Sequence, residues 1–187
     1  MRIRRWVSTV YQHSSKFFHA FYGVVAVIVF GIVIHTNLQH EAQEECLARN
    51  IYWEGRTEPF EAKVKIGLLT LARVFDSQWP DDICEVVFQK SQFSWTLNAE
   101  LVVDHNPRDE ANWQQSLHIA KELYNRPELF IFPSGWECAR YYKRADNRGV
   151  SKTSQTWFDK NLVRVGKFGS HAAYAPKNGC TQKIPTY

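Results

Sequence analysis

The sequence predicts an α+β protein: a mostly helical N-terminal half, a small β region in the C-terminal third, and one transmembrane helix in front. Three observations predict this. Residues 17–34 are almost wholly apolar, and about 18 such residues is the least that a bilayer-crossing helix needs. Between Leu47 and Tyr124 apolar residues recur at three- and four-residue spacing, the period of a helix with one buried face. After Arg126 that period fades, and short aromatic or β-branched runs alternate with turn residues. Helices first and strands last place the chain in the α+β class.

The first element is the apolar run. Arg2, Arg4, Arg5 and Lys16 precede it, His19 alone interrupts it, and no basic residue follows for a dozen positions. That asymmetry predicts a cytoplasmic N-terminus and an exported C-terminal domain. The chain carries 23 Lys and Arg against 19 Asp and Glu, and the whole excess lies at or before Lys16. The remainder is neutral, so the basic balance is a topology signal and gives no ground for nucleic-acid binding. A cleaved signal peptide is the alternative, but residues 34–39 offer no small-x-small site. A buried core helix fits poorly with a run that has no polar face.

Polar, acidic residues 35–45 form a tether, and a continuous helix through them is compatible with the lack of Pro and Gly. Leu47, Ile51, Tyr52 and Trp53 then predict a buried helix stopped by Gly55 as its C′ residue. The next helix starts near Glu58, with Thr57 as its cap and Pro59 in its first turn. Its buried stripe is Phe60, Val64, Gly67 or Leu68, Leu71, and Val74 or Phe75, with Gly67 marking a close crossing. Lys63, Lys65 and Arg73 are expected on its solvated face. A third helix runs from Asp81 or Asp82 through Gln89, with Ile83, Val86 and Val87 inward. Residues 93–96 read as extended or looped, and residues 104–109 as a turn-rich link. A fourth helix from Asp109 or Glu110 carries Trp113, Leu117, Ala120 and Tyr124 inward. Strands are expected at 139–142 and 162–165, with another within 168–174 after the Gly166 to Gly169 turn.

Chemistry concentrates at residues 46–60. Glu54 ends an apolar-aromatic run, and a low-dielectric wall of Tyr52 and Trp53 would penalise its charged form and keep it protonated near neutrality. That is the requirement for a general acid; the plain alternative is a solvated carboxylate at a helix end. Glu58 is the nearest second carboxylate, although its place before Pro59 also suits helix N-terminal electrostatics. Cys46, Cys84, Cys138 and Cys180 all follow the apolar run, and in an oxidising space pairing is favoured, with three connectivities open. A zinc site is the weaker reading, since neither C-x-x-C nor HExxH occurs. A free catalytic Cys138 working with His171 is a further option.

The stretch resembles the active-site segment of the SleB/CwlJ-type cell wall hydrolases, the spore cortex-lytic family. Tyr52, Glu54, Gly55, Arg56, Glu58 and Pro59 match its motif, with Thr57 in place of glycine. Leu71 to Val74 matches a second block, with Ala72 where asparagine is usual; Trp79 to Gln89 and Gln92 to Trp95 match a third. Val165, Gly166, His171 and Tyr174 match a fourth, with two extra residues before the histidine.

The resemblance implies cleavage of the peptidoglycan glycan strand, with no cofactor. Glu54 would protonate the leaving oxygen and then act as base while the muramyl 6-hydroxyl closes a 1,6-anhydro ring. Gln92, Phe93, Ser94, Trp95, Tyr141, Tyr142, His171 and Tyr174 would line the sugar groove, and Arg73 would face a carboxylate near the site. Cys46 with Cys84 is the expected first disulfide, because both lie in matching blocks; Cys138 and Cys180 bracket the strand region and form the second. The expected organisation is a cytoplasmic basic N-terminus at 1–16, a transmembrane signal anchor at 17–35, a tether at 36–45, a catalytic domain at 46–180 and a tail at 181–187. The protein would sit in the inner, cytoplasmic membrane as a single-pass protein, its catalytic domain periplasmic or extracellular. Peptidoglycan and the lipid bilayer are its expected partners; oligomeric state is not indicated. A role in bacterial wall remodelling and one as a phage endolysin both fit. The competing readings are a peptidoglycan amidase or endopeptidase using Cys138 and His171 or zinc, and a non-catalytic wall-binding membrane protein.

Overall fold

The structure is a computed structural model describing residues 3–97, 107–126, 128 and 131–180, with side chains described for these except residues 3–20, 107 and 108. The expected tail at 181–187 and residues 104–106 of the expected link lie outside them. The described elements are helices α1 (Ile3–Gly55), α2 (Phe60–Val74), α3 (Ile83–Phe88), α4 (Pro107–Asn125) and α5 (Lys152–Asn161), a 3₁₀ turn (Ser94–Leu97), and strands β1 (Tyr141–Arg144), β2 (Leu162–Phe168) and β3 (His171–Pro176). This is the expected α+β class.

The chain divides into two units after Glu41. In the first, α1 exposes its apolar side chains, Val27 at 72% and Phe30 at 67% among them. Such exposure in water is unfavourable along a whole helix, and this is the one helix among the described residues long and apolar enough to cross a membrane.

In the second unit, the end of α1 buries Leu47, Ala48, Ile51 and Tyr52. Helix α2 packs on it through Ile66, Leu69 and Ala72, and α4 closes the core with Ile119, Ala120 and Leu123. Gly67 is the crossing point: a Cβ there would strike Leu123 and come within 3.0 Å of Ile51 Cδ1. In α3, Ile83, Val86 and Val87 are buried as expected, Asp82 accepts from Glu85 N at 2.9 Å, and Gln43 Oε1 accepts from Ile83 N at 2.7 Å. The antiparallel sheet has order β1-β3-β2 with a bulge between Arg164 and Gly166. Disulfides join Cys46 to Cys84 and Cys138 to Cys180.

Several local expectations need correction. Lys63 and Arg73 are buried, not solvated. Lys63 Nζ donates to Asn112 Oδ1 and Gln115 Oε1, and Arg73 Nε donates to the Arg140 carbonyl at 2.7 Å, so long side chains reach partners across the core. Phe60 is 43% exposed because α2 begins there, outside the packed turns. Pro59 is the N-cap of α2, and Thr57 makes no cap. Gly55 is the last helical residue of α1 and not a left-handed stop; a Cβ there would lie 2.9 Å from Lys63 Cγ, so close packing excludes a side chain. Residues 94–97 form a 3₁₀ turn where an extended or looped segment was expected. Strand β1 starts at Tyr141 and β3 ends at Pro176, each two residues beyond its expected bound.

Candidate active site

Glu54 is placed by the last turn of α1, whose inner face is fixed in the core by Ile51 and Tyr52. It lines a cavity of about 680 Å³ shared with Trp53, Glu58, Gln92, Phe93, Ser94, Tyr142, Arg144 and His171. Its carboxylate makes no hydrogen bond or ion pair with the described residues, and burial pushes its pKa up to about 7, opposed by the positive charge of Arg73. A carboxyl in that state is half-protonated at neutrality and can both give and take a proton.

The surroundings are tightly held. Asn50, fully buried one turn before Glu54, donates to Thr70 Oγ1 at 2.9 Å and accepts from Trp95 Nε1 at 3.2 Å. Trp95 stacks on Trp53 at 6.4 Å between centroids. The Tyr142 hydroxyl is buried with no hydrogen-bond partner among the described residues; burial and then the nearby Glu54 charge raise its phenol well above the usual range, so it stays neutral. Arg73 lies 5.1 Å from the centre of the Phe93 ring and 4.8 Å from that of Trp79, and no described group accepts from its Nη1. Burial lowers its pKa, yet a guanidinium remains charged. Arg140, which supplies its carbonyl to Arg73, is held by Asp76 at 3.0 Å in a pair almost wholly out of solvent.

Glu58 belongs to a different construction. Its Oε2 accepts from Ser170 N at 2.9 Å, its Oε1 accepts from Ser170 Oγ, and His171 Nδ1 lies 3.6 Å away. The carboxylate therefore closes the tight β2–β3 turn onto the start of α2. Gly169 permits this, having φ of +48° and no Cβ, which would otherwise collide with Glu58 Oε2. His171 is pushed towards its neutral form by burial, partly offset by the Glu58 charge, and its ring stacks on Phe168 at 5.4 Å.

Of the residues expected in the groove, Gln92, Phe93, Ser94, Tyr142 and His171 share the cavity with Glu54, whereas Trp95, Tyr141 and Tyr174 do not line it. Trp95 backs Trp53. Tyr141 and Tyr174 pair across β1 and β3 and meet Trp157 and Phe158 of α5 instead. Of the two aromatic residues expected to wall Glu54, Trp53 lines the cavity and Tyr52 does not; Arg144, Arg148 and Ser154, which the sequence did not single out, line it as well. Cys138 is bonded to Cys180, so it has no thiol and the Cys138–His171 nucleophile is overturned. Among the described residues no group of three His, Cys, Asp or Glu side chains is arranged to hold a metal ion.

The family described as Cell Wall Hydrolase matches residues 57–174 of this chain. The chain belongs to the cell wall hydrolase family. Membership makes it an enzyme that cleaves peptidoglycan. The matched stretch of this cell wall hydrolase begins at Thr57 and so contains Glu58 and His171 but stops short of Glu54. Two solved structures are similar to it. One is the catalytic domain of the Bacillus cereus SleB protein, at 20% identity and a TM-score of 0.48, covering 71% of this chain and 89% of that one. The other is the catalytic domain of the germination-specific lytic transglycosylase SleB from Bacillus anthracis, at 21% identity and 0.49, covering 70% and 92%. No curated protein matches this cell wall hydrolase with significance.

Proposed function

We propose that this cell wall hydrolase is a membrane-anchored, exported lytic transglycosylase that cuts the peptidoglycan glycan strand with Glu54 as its only acid and base. One observation carries the reading: of two carboxylates facing the cavity, Glu54 alone is both uncommitted to the fold and held near a pKa of about 7. Protonated Glu54 gives its proton to the glycosidic oxygen as the C1–O bond breaks and the sugar gains oxocarbenium character. The resulting carboxylate takes the proton of the muramyl 6-hydroxyl, whose oxygen bonds to C1 and closes the 1,6-anhydro ring. Glu54 ends protonated and no water is consumed, so a second carboxylate is unnecessary. Tyr142 and Arg73 steady the charge that Glu54 carries between the two steps.

The anchor is the apolar part of α1, residues 17–35, with residues 1–16 cytoplasmic, 36–45 a tether, and residues 46–180 forming the catalytic domain outside the membrane. Its orientation follows from the basic residues at its start. The test is mass spectrometry of muropeptides released by the full-length protein in detergent, beside Glu54→Gln. Anhydro-muramyl products from the first and none from the second are expected. Products indifferent to Glu54, or cleaved peptides alone, would overturn the reading.

A further inference from the structure

Part of the cavity wall is built by the end of β1 and the loop that follows it to α5, and it carries positive charge. Arg144 and Arg148 both line the cavity. Asp146 holds them: it accepts from Arg144 Nε and Nη2 at 3.2 Å each, from Arg148 N at 3.0 Å, and from Arg148 Nε at 2.5 Å. Those bonds, that of Arg144 foremost, keep the Asp146 carboxyl far below its ordinary range. Arg148 sits between Asn147 and Gly149, both at positive φ, and Ala145 N donates to Ser170 O at 2.8 Å, tying the loop to the Glu58 turn.

Two guanidiniums share one carboxylate, so the group keeps a net positive charge. The other charges around the cavity are occupied. Arg56 pairs with Asp109, and the Lys143 ammonium lies 5.0 Å from the Phe158 ring centre. Glu58 is bound to Ser170, and Glu54 is half-protonated at neutrality. An incoming ligand therefore meets a cationic wall of planar forks that suit carboxylates in bidentate geometry. A glycan backbone offers such a wall little, since its hydroxyls and acetamido groups are neutral; the carboxylates of peptidoglycan belong chiefly to its peptide stems.

We propose that Arg144 and Arg148, joined by Asp146, bind the carboxylates of the peptide stem on the strand being cut, and so make the enzyme prefer stem-bearing glycan. The proposal rests on the reading of this cavity as the glycan-cleaving site. The clamp is preorganised, because Asp146 and the two left-handed residues fix the loop before substrate arrives.

The test compares kcat/KM of the full-length enzyme on intact peptidoglycan, on the same material stripped of stems by an amidase with the lactyl carboxylates so freed then converted to neutral amides, and on material freed only of its wall phosphate polymers. The wild type should prefer stem-bearing glycan by about tenfold, as expected for a charge-assisted pair. In Arg144→Gln/Arg148→Gln the preference should fall towards one, and about 0.5 M salt should erode it in the wild type. Arg148→Gln alone, at a side chain that is 76% exposed, should lower the preference by part of the double variant's loss. Equal activity of the wild type on stemmed and stripped glycan would overturn the proposal, as would a preference retained in the double variant. A preference lost on removing phosphate polymers would assign the clamp to phosphate and overturn the stem assignment. Glu54→Gln assayed in parallel separates the two readings: if it stays active the glycan-cleaving assignment fails, whereas an inert Glu54→Gln with an unmoved stem preference condemns only the clamp.

Discussion

Glu54 and Glu58 stand one turn apart in sequence and face one cavity, yet the fold treats them oppositely. Glu54 ends a helix among aromatic rings, with no described hydrogen-bond partner, and burial raises it to about 7. Glu58 precedes a helix and is tied by two bonds to Ser170. A carboxylate left without donors is disposed towards proton transfer, and one with donors on both oxygens is disposed towards holding structure. The difference shows that a carboxylate's role is set by what the backbone brings to it, here the turn at Gly169.

The contrast breaks most visibly in catalysis. Glu54→Gln is expected to lower kcat by about a thousandfold or more with the fold intact, measured by muropeptide release. For the wild type, kcat/KM should hold at acid pH and fall as pH rises through about 7, where the acid form of Glu54 disappears.

Gly169→Ala attacks the other side of the comparison. It places a side chain at positive φ and against Glu58, and should cost about 2 to 4 kcal/mol in a chemical denaturation experiment. Glu54→Gln should instead stabilise the protein at high pH. The folded pKa of Glu54 is raised from 4.5 to about 7, so the wild type loses stability as pH climbs through that window. Relative to wild type the variant should gain up to about 3 kcal/mol above pH 7 and nothing below about 4.5. The smallest effect belongs to Glu58→Gln, expected to cost about 1 to 3 kcal/mol of stability while anhydro products persist. If Glu58→Gln abolished turnover without loosening the fold, the division of roles would be wrong.

Much of this was legible in the sequence because helices write their buried face as a period. The inward residues of α3 and the close approach at Gly67 could be read that way, and four motif blocks in order between residues 46 and 174 carried the resemblance to the family. What escaped lacked a period or broke a default. Helix α5 has no buried residues among its ten, so it left no apolar stripe to find. Lys63 and Arg73 looked solvated because charged residues usually are; only the fold reveals that amide oxygens of α4 and a carbonyl before β1 wait for them. Tyr141 and Tyr142 are adjacent in a strand and must face opposite ways, so one entered the cavity while its neighbour joined α5. Arg144 and Arg148 sit at a strand end and in a loop, where spacing carries no information about facing.

The most direct measurement of the division between the two glutamates is digestion of peptidoglycan in ¹⁸O-water by the full-length wild type and by Glu58→Gln, with mass analysis of the released muropeptides. Anhydro-muramyl ends free of ¹⁸O from both proteins are what a single acid and base at Glu54 predicts. Reducing ends carrying ¹⁸O from the wild type, lost in Glu58→Gln, would contradict it and make Glu58 the base of a hydrolase.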